Sequence, residues 1–207
     1  MQAYLENRSE RRDYPEDIFS FVMVANISAA LDDVQEQARR LSLTAKNARA
    51  LAVRAGNQAL GFKVITDFID EFARETMSLA HDIQGCAQQV ARLAGESSRL
   101  EDYLVRLDRV DREVLKGAEE ARLTSRERDR AQIMETFRRS LRELDGLLSE
   151  ILDQMRAATF IASTSKVEAV NAEDHRASLE GVIMGISEVA ETITVATKHC
   201  LKYINEY

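Results

Sequence analysis

Three histidines and two cysteines are the residues best suited to metal binding or covalent chemistry, and their spacing points to neither. A di-iron centre inside a helical bundle needs Glu-x-x-His pairs facing inward. The residues three before His81, His175 and His199 are Ser78, Ala172 and Ala196, so that motif is missing. No His/Cys spacing suggests a zinc site. Cys86 and Cys200 are too few for a disulfide framework. Both fall on apolar positions and read as buried free thiols. Met134, Met155 and Met184 read as core filling. No Gly-rich phosphate loop follows a strand, and no convergent polar cluster stands out. The chain is therefore expected to have no catalytic residues, no metal and no cofactor. His175 alone is placed to sense pH or touch a partner; the alternative is a solvated turn residue.

Composition sets the class. The chain has 207 residues, 45% hydrophobic and 30% charged, which is not a disordered composition. One proline (Pro15) and eight glycines are too few for the frequent turns of an all-β fold. The abundance of Ala, Leu, Glu, Arg and Gln points to long helices. A net charge of -7 argues against a nucleic-acid partner, although SRERDR at 125–130 is locally basic. No run approaches the roughly 18 apolar residues of a membrane span. The N-terminal MQAYLENRSERRDYPED lacks an apolar signal core, so a soluble cytoplasmic location is expected.

Alternating steps of three and four from Val24 give Ile27, Leu31, Val34, Ala38, Leu41, Ala45, Ala48, Ala52 and Ala55, all apolar. Further seams of this heptad kind run from Phe62 to Leu107, with only Thr76 and Ser97 polar, from Met134 to Ala172, and from Leu179 to Tyr207. Breaks at 56–61, 117–125 and 171–175 separate them. The expected helices span about 17–55, 62–116, 126–171 and 175–206. Short connections force antiparallel neighbours, so the expected fold is all-α, a long antiparallel four-helix coiled-coil bundle.

An offset of 117 residues carries Val24 onto Leu141, Ala52 onto Ala169, Phe62 onto Leu179 and Phe72 onto Val189. Every seam position from 24 to 90 lands on a seam position. The offset is not a multiple of seven, and it holds on both sides of a non-heptad break. The chain reads as two copies of one helical hairpin related by a pseudo-twofold, with both hairpin turns at one end. The expected organisation is an N-terminal arm at 1–16, a first hairpin at 17–116, a linker at 117–125 and a second hairpin at 126–207, all in one structural domain. Small residues (Ala45, Ala48 and Ala52; Ala158, Ala162, Ser165 and Ala169) dominate the core toward the turns.

The segment from Asn47 to Phe62, NARALAVRAGNQALGF, resembles the signalling tip of methyl-accepting chemotaxis receptors. The likeness continues through Val64, Ile65, Asp67, Ile69 and Ala73. The second turn is similar through Val167-Glu168-Ala169 and Ala172-Glu173-Asp174. The specific part covers about 27 residues of the first repeat, and compatible heptads cover nearly the whole chain. The two copies depart from the family pattern in opposite ways. The tip glutamate is Leu51 in the first and Glu168 in the second. The tip arginine is Arg54 in the first and Asn171 in the second. The acidic turn residue is Asn57 in the first and Asp174 in the second. Gln88-Gln89 is the nearest approach to a methylation pair.

The resemblance implies a fold in which two hairpins make one four-helix bundle, here joined in a single chain. It also implies a non-enzymatic signalling or adaptor function: binding a chemotaxis-type histidine kinase, its coupling adaptor or a receptor through the tip. The implied partner-binding residues are Asn47, Arg54, Asn57, Gln58, Glu168, Asp174 and His175. The alternative is a helical scaffold or self-associating structural protein that kept the fold without kinase control; a homo-oligomer fits either reading.

Overall fold

The computed structural model of the chain describes residues 16–56, 60–108, 118–170 and 175–205. The described residues form four helices and no strand: α1 (Glu16–Ala55), α2 (Leu60–Asp108), α3 (Ala118–Val170) and α4 (Arg176–Asn205). The fold is all-α, an antiparallel four-helix bundle. Gly56 ends α1 in the left-handed region at φ 64°, the cap that glycine adopts without a Cβ penalty. One boundary corrects the expectation. The 118–125 part of the proposed linker is helical, because α3 begins at Ala118. The run Ala118-Glu119-Glu120-Ala121-Arg122-Leu123 has no breaker, and its two acids favour a helix N-terminus. Glu16, the last residue of the expected 1–16 arm, opens α1; residues 1–15 and the turn residues 57–59 and 171–174 lie outside the described residues, as does 109–117.

Contacts divide the chain into two compact units. One comprises α1 up to Asn26 together with Gly85–Leu144. Within it Cys86 Sγ donates to Ser140 O at 3.2 Å, and Ser97 Oγ lies 3.8 Å from Met134 Sδ, which ties α2 to α3. The Arg126 guanidinium lies 5.2 Å from the ring centroid of Tyr103.

The other unit comprises Ile27–Gln84 and Asp145–Tyr207 and contains parts of all four helices. In it α1 meets α2 through Arg49–Asp67 and Ser42–Asp70. Helix α2 meets α3 through Gly61–Glu168 and Thr76–Gln154. Helix α1 meets α4 through Thr44–Gly185. The four helices thus form a ring in chain order, with α1 and α3 on one diagonal and α2 and α4 on the other. The last three pairs share one antiparallel register: residue numbers across each add up to 229 or 230. The 117-residue offset carries Thr44 and Gly185 onto Ile161 and Phe68, in that same register.

Burial repeats with the same offset. Leu31, Val34, Ala38, Leu41, Ala45, Ala48 and Ala52 are buried, and so are Leu148, Ile151, Met155, Ala158, Ala162, Ser165 and Ala169. The small residues near the turns are thus wholly inside.

Helices α2 and α4 depart from the expected seam. The innermost line of α2 is Phe62, Thr66, Ile69, Ala73, Thr76, Ala80, Ile83, Ala87 and Val90, while Ile65 and Phe72 are only half-buried. In α4 it is Leu179, Ile183, Ile186, Ala190, Ile193, Thr197, Cys200 and Ile204, with Val182 and Tyr203 half-buried. Apolar burial scales with area, so large residues dominate a sequence pattern. Here Ala and Thr face the axis, and the larger Ile65 and Phe72 fill its flank.

Candidate functional site

The end of the four-helix unit that carries both hairpin turns is the candidate site. Four of the seven proposed contact residues fall among those described. Asn47 and Arg54 are exposed on α1, Arg54 in its last turn. Glu168 is half-buried near the end of α3, with its carboxylate against Gly61 on α2. His175 is half-buried and immediately precedes α4. Asn57, Gln58 and Asp174 lie outside the described residues. Arg54 and Glu168 stand on diagonal helices, and Glu168 turns toward α2.

The two hairpins are held differently. In the first, Asp70 is the centre of a polar clasp. Ser42 Oγ donates to its Oδ1 at 2.6 Å, Lys46 Nζ approaches the same oxygen at 3.7 Å, and Arg74 Nε lies 3.7 Å from Oδ2. Arg49 Nη1 adds a 2.8 Å pair with Asp67 Oδ1. The exposed pairs contribute little individually, within about 1 kcal/mol. The part-buried bond from Ser42 to a charged acceptor is worth more, about 1.5–3 kcal/mol.

In the second hairpin the corresponding residues are Thr159, Ser163, Lys166, Met184 and Ser187. Thr159 and Ser187 donate to carbonyls of their own helices, Met155 O and Ile183 O. Met184 stands where the first hairpin has Asp67 and is 69% exposed. It is not core filling, which corrects the sequence expectation; Met155 is fully buried and Met134 half-buried. A methionine on a heptad flank looks the same in sequence whichever way it faces.

Large exposed apolar side chains gather toward the turns. In this unit they are Leu43 and Val53 on α1, Val64 and Phe68 on α2, Phe160, Val167 and Val170 on α3, and Met184 on α4; Val195 lies farther along α4. Phe160 is 70% exposed. Sequence reasoning selected the polar turn residues and missed these. The signal was present, since Leu43 with Phe160 and Val53 with Val170 are apolar, off the seam, and 117 residues apart.

An open groove between α1 and α4 places Asp33, Glu188, Glu191 and His199 around Ala29, Ala30 and Ala196. No group of three His, Cys, Asp or Glu among the described residues is placed to hold a metal ion. Cys86 and Cys200 are buried, and burial pushes both thiols up to about 11. For Cys86 the nearby Glu143 carboxylate raises the value further. A protonated thiol is a poor nucleophile at neutral pH. Among the described residues no helix is long and apolar enough to cross a membrane. The chain matches no family model, and no curated protein matches its sequence.

Proposed function

We propose that the chain is a non-enzymatic signalling or adaptor protein that binds its partner through the end of the bundle carrying the two hairpin turns. The observation behind this reading is the gathering of exposed Leu43, Val53, Phe160, Val167, Val170 and Met184 toward that end. Exposed apolar clusters on a folded surface serve as interaction sites. The second hairpin, with Met184 and Ser187 in place of Asp67 and Asp70, offers the less charged half. The partner class follows from the likeness of residues 47–62 to a chemoreceptor tip: a chemotaxis-type histidine kinase, its coupling adaptor or a receptor, in the cytoplasm.

Binding of the purified chain to a chemotaxis-type kinase and to its coupling adaptor tests this reading. Phe160→Ser/Val167→Ser/Met184→Ser is expected to melt like the parent yet bind about tenfold more weakly or worse, as loss of an apolar anchor does. Glu168→Ala is expected to weaken capture as well. Unchanged capture by both variants would transfer the role to the charged 99–130 region.

A further inference from the structure

Gly181 and Gly185 lie one turn apart on the same side of α4. A Cβ built on Gly181 meets nothing within 4 Å. One built on Gly185 meets only Thr44 Cγ2, at 3.9 Å, an ordinary contact. The interior of the unit therefore does not require glycine at either place, although glycine inside a helix is costly relative to alanine. Gly85 and Gly146 also face open space, but each stands by itself. The pair at 181 and 185 clears a strip along α4 where another backbone can come close, the small-xxx-small arrangement of tightly approaching helices.

The repeat shows what would fill that strip. The residues 117 positions earlier are Val64 and Phe68 on α2, 55% and 47% exposed. Phe68 is one heptad from both Gly61 and Glu75, which places it on the side of α2 bordering α3. Gly185 borders α1 through Thr44. One flank of the pseudo-twofold unit thus carries two large apolar side chains, and the other carries two gaps at the same spacing.

Charge sets the direction. Glu71 and Glu75 follow Phe68 in heptad step and are exposed. Arg54 is in heptad step with Thr44 and lies level with the start of α4, while Glu188 lies beyond Gly185. An antiparallel crossing of α2 on α4 directs Glu71 and Glu75 toward Arg54. A parallel crossing would set Glu71 against Glu188.

We propose that a second copy of the chain docks on this strip: Val64 and Phe68 of one copy seat over Gly181 and Gly185 of the next, antiparallel, with the Glu71 and Glu75 end toward Arg54. The contact joins two different faces, so a dimer keeps one open face of each kind and growth continues beyond it. The inference does not rest on tip binding to a kinase, and its Val64/Phe68 and Gly181/Gly185 variants avoid the tip contacts; Arg54 belongs to both surfaces, so its variant is read by self-association alone.

Sedimentation over a range of concentrations tests it, with thermal melting as the control for folding. The parent chain is expected to rise in average mass past the dimer as concentration increases. Val64→Ser/Phe68→Ser and Gly181→Gln/Gly185→Gln should each sediment as monomers. Mixed in equal amounts they should form a heterodimer and stop, because together they retain one intact knob face and one intact strip. Arg54→Glu should also abolish growth, and mixing it with Glu71→Arg/Glu75→Arg should restore growth in alternation, because both knob–strip pairings between the two variants then join opposite charges. A parent chain that stays monomeric overturns the proposal and leaves the glycine strip to a different protein. A plateau at the dimer, or a monomeric mixture of normally melting variants, overturns it equally.

Discussion

Glu168, two residues before the end of α3, lays its carboxylate over Gly61 at the start of α2: a methyl group on Gly61 would sit 2.5 Å from Glu168 Oε2. This contact links the two hairpins at the end where both turns lie. It also gives the second copy's tip glutamate a structural neighbour that the first copy, with Leu51 in its place, does not offer in the same form.

Gly61→Ala forces that carboxylate aside. The obstacle is the far end of a flexible side chain, so the change is small. With Glu168 present, the gain from replacing a helical glycine should be largely offset. In a Glu168→Ala background the same substitution should stabilise by about 0.5–1 kcal/mol. Equal effects in both backgrounds, measured by chemical denaturation as a double-mutant cycle, would mean that the two residues do not interact.

Gly181→Ala and Gly185→Ala should each raise stability by about 0.5–1 kcal/mol, because the surroundings have room for a methyl group. Urea midpoints at a dilution where the chain is monomeric check this. A loss of stability would show that the α1/α4 packing requires glycine.

Ala52 is 2% exposed and sits on the crowded small-residue line of α1. Ala52→Leu should overpack and cost about 1–3 kcal/mol. Ala50→Leu, two residues away on the exposed side, should stay within about 0.5 kcal/mol. The difference between the two in denaturation is the test of register.

Asp70→Ala removes the acceptor shared by Ser42, Lys46 and Arg74, and should cost about 1–3 kcal/mol. Ser187→Ala, its counterpart in the second hairpin, loses only a bond to its own helix and should be close to neutral. Similar costs for the two would contradict the asymmetry of the hairpins.

The cysteines give a pH dependence with a definite sign. Folded Cys86 and Cys200 ionise near 11, against 9.0 for an unperturbed thiol. Between about pH 9 and 11 the unfolded chain therefore holds fewer protons than the folded one, and stability falls as pH rises through that window. Cys86→Ala/Cys200→Ala should flatten this slope, and native alkylation at pH 8 should be far slower than in denaturant. Equal alkylation rates would place the thiols at the surface.

Periodicity and the 117-residue offset are enough to read this chain as two helical hairpins in an antiparallel bundle, because burying a continuous apolar stripe is the dominant demand on a long helix. The heptad lines of α1 and, from Leu144 to Ala169, of α3 could be read residue by residue, since large residues and alanines there fall on a single line; before it Ser140 is buried and Leu141 only half-buried. In α2 and α4 only packing chose between Ile65 and Thr66, or Phe72 and Ala73, for the centre. A small residue fits either position, and the neighbouring helices decide which one faces inward. The direction of Met184 and the bonding of Asp70 were likewise not legible: each depends on which residue of the partner helix stands opposite. The seam residues were determined by their own chemistry, and the flanks and surface by the helix beside them, which a single helix's sequence does not encode.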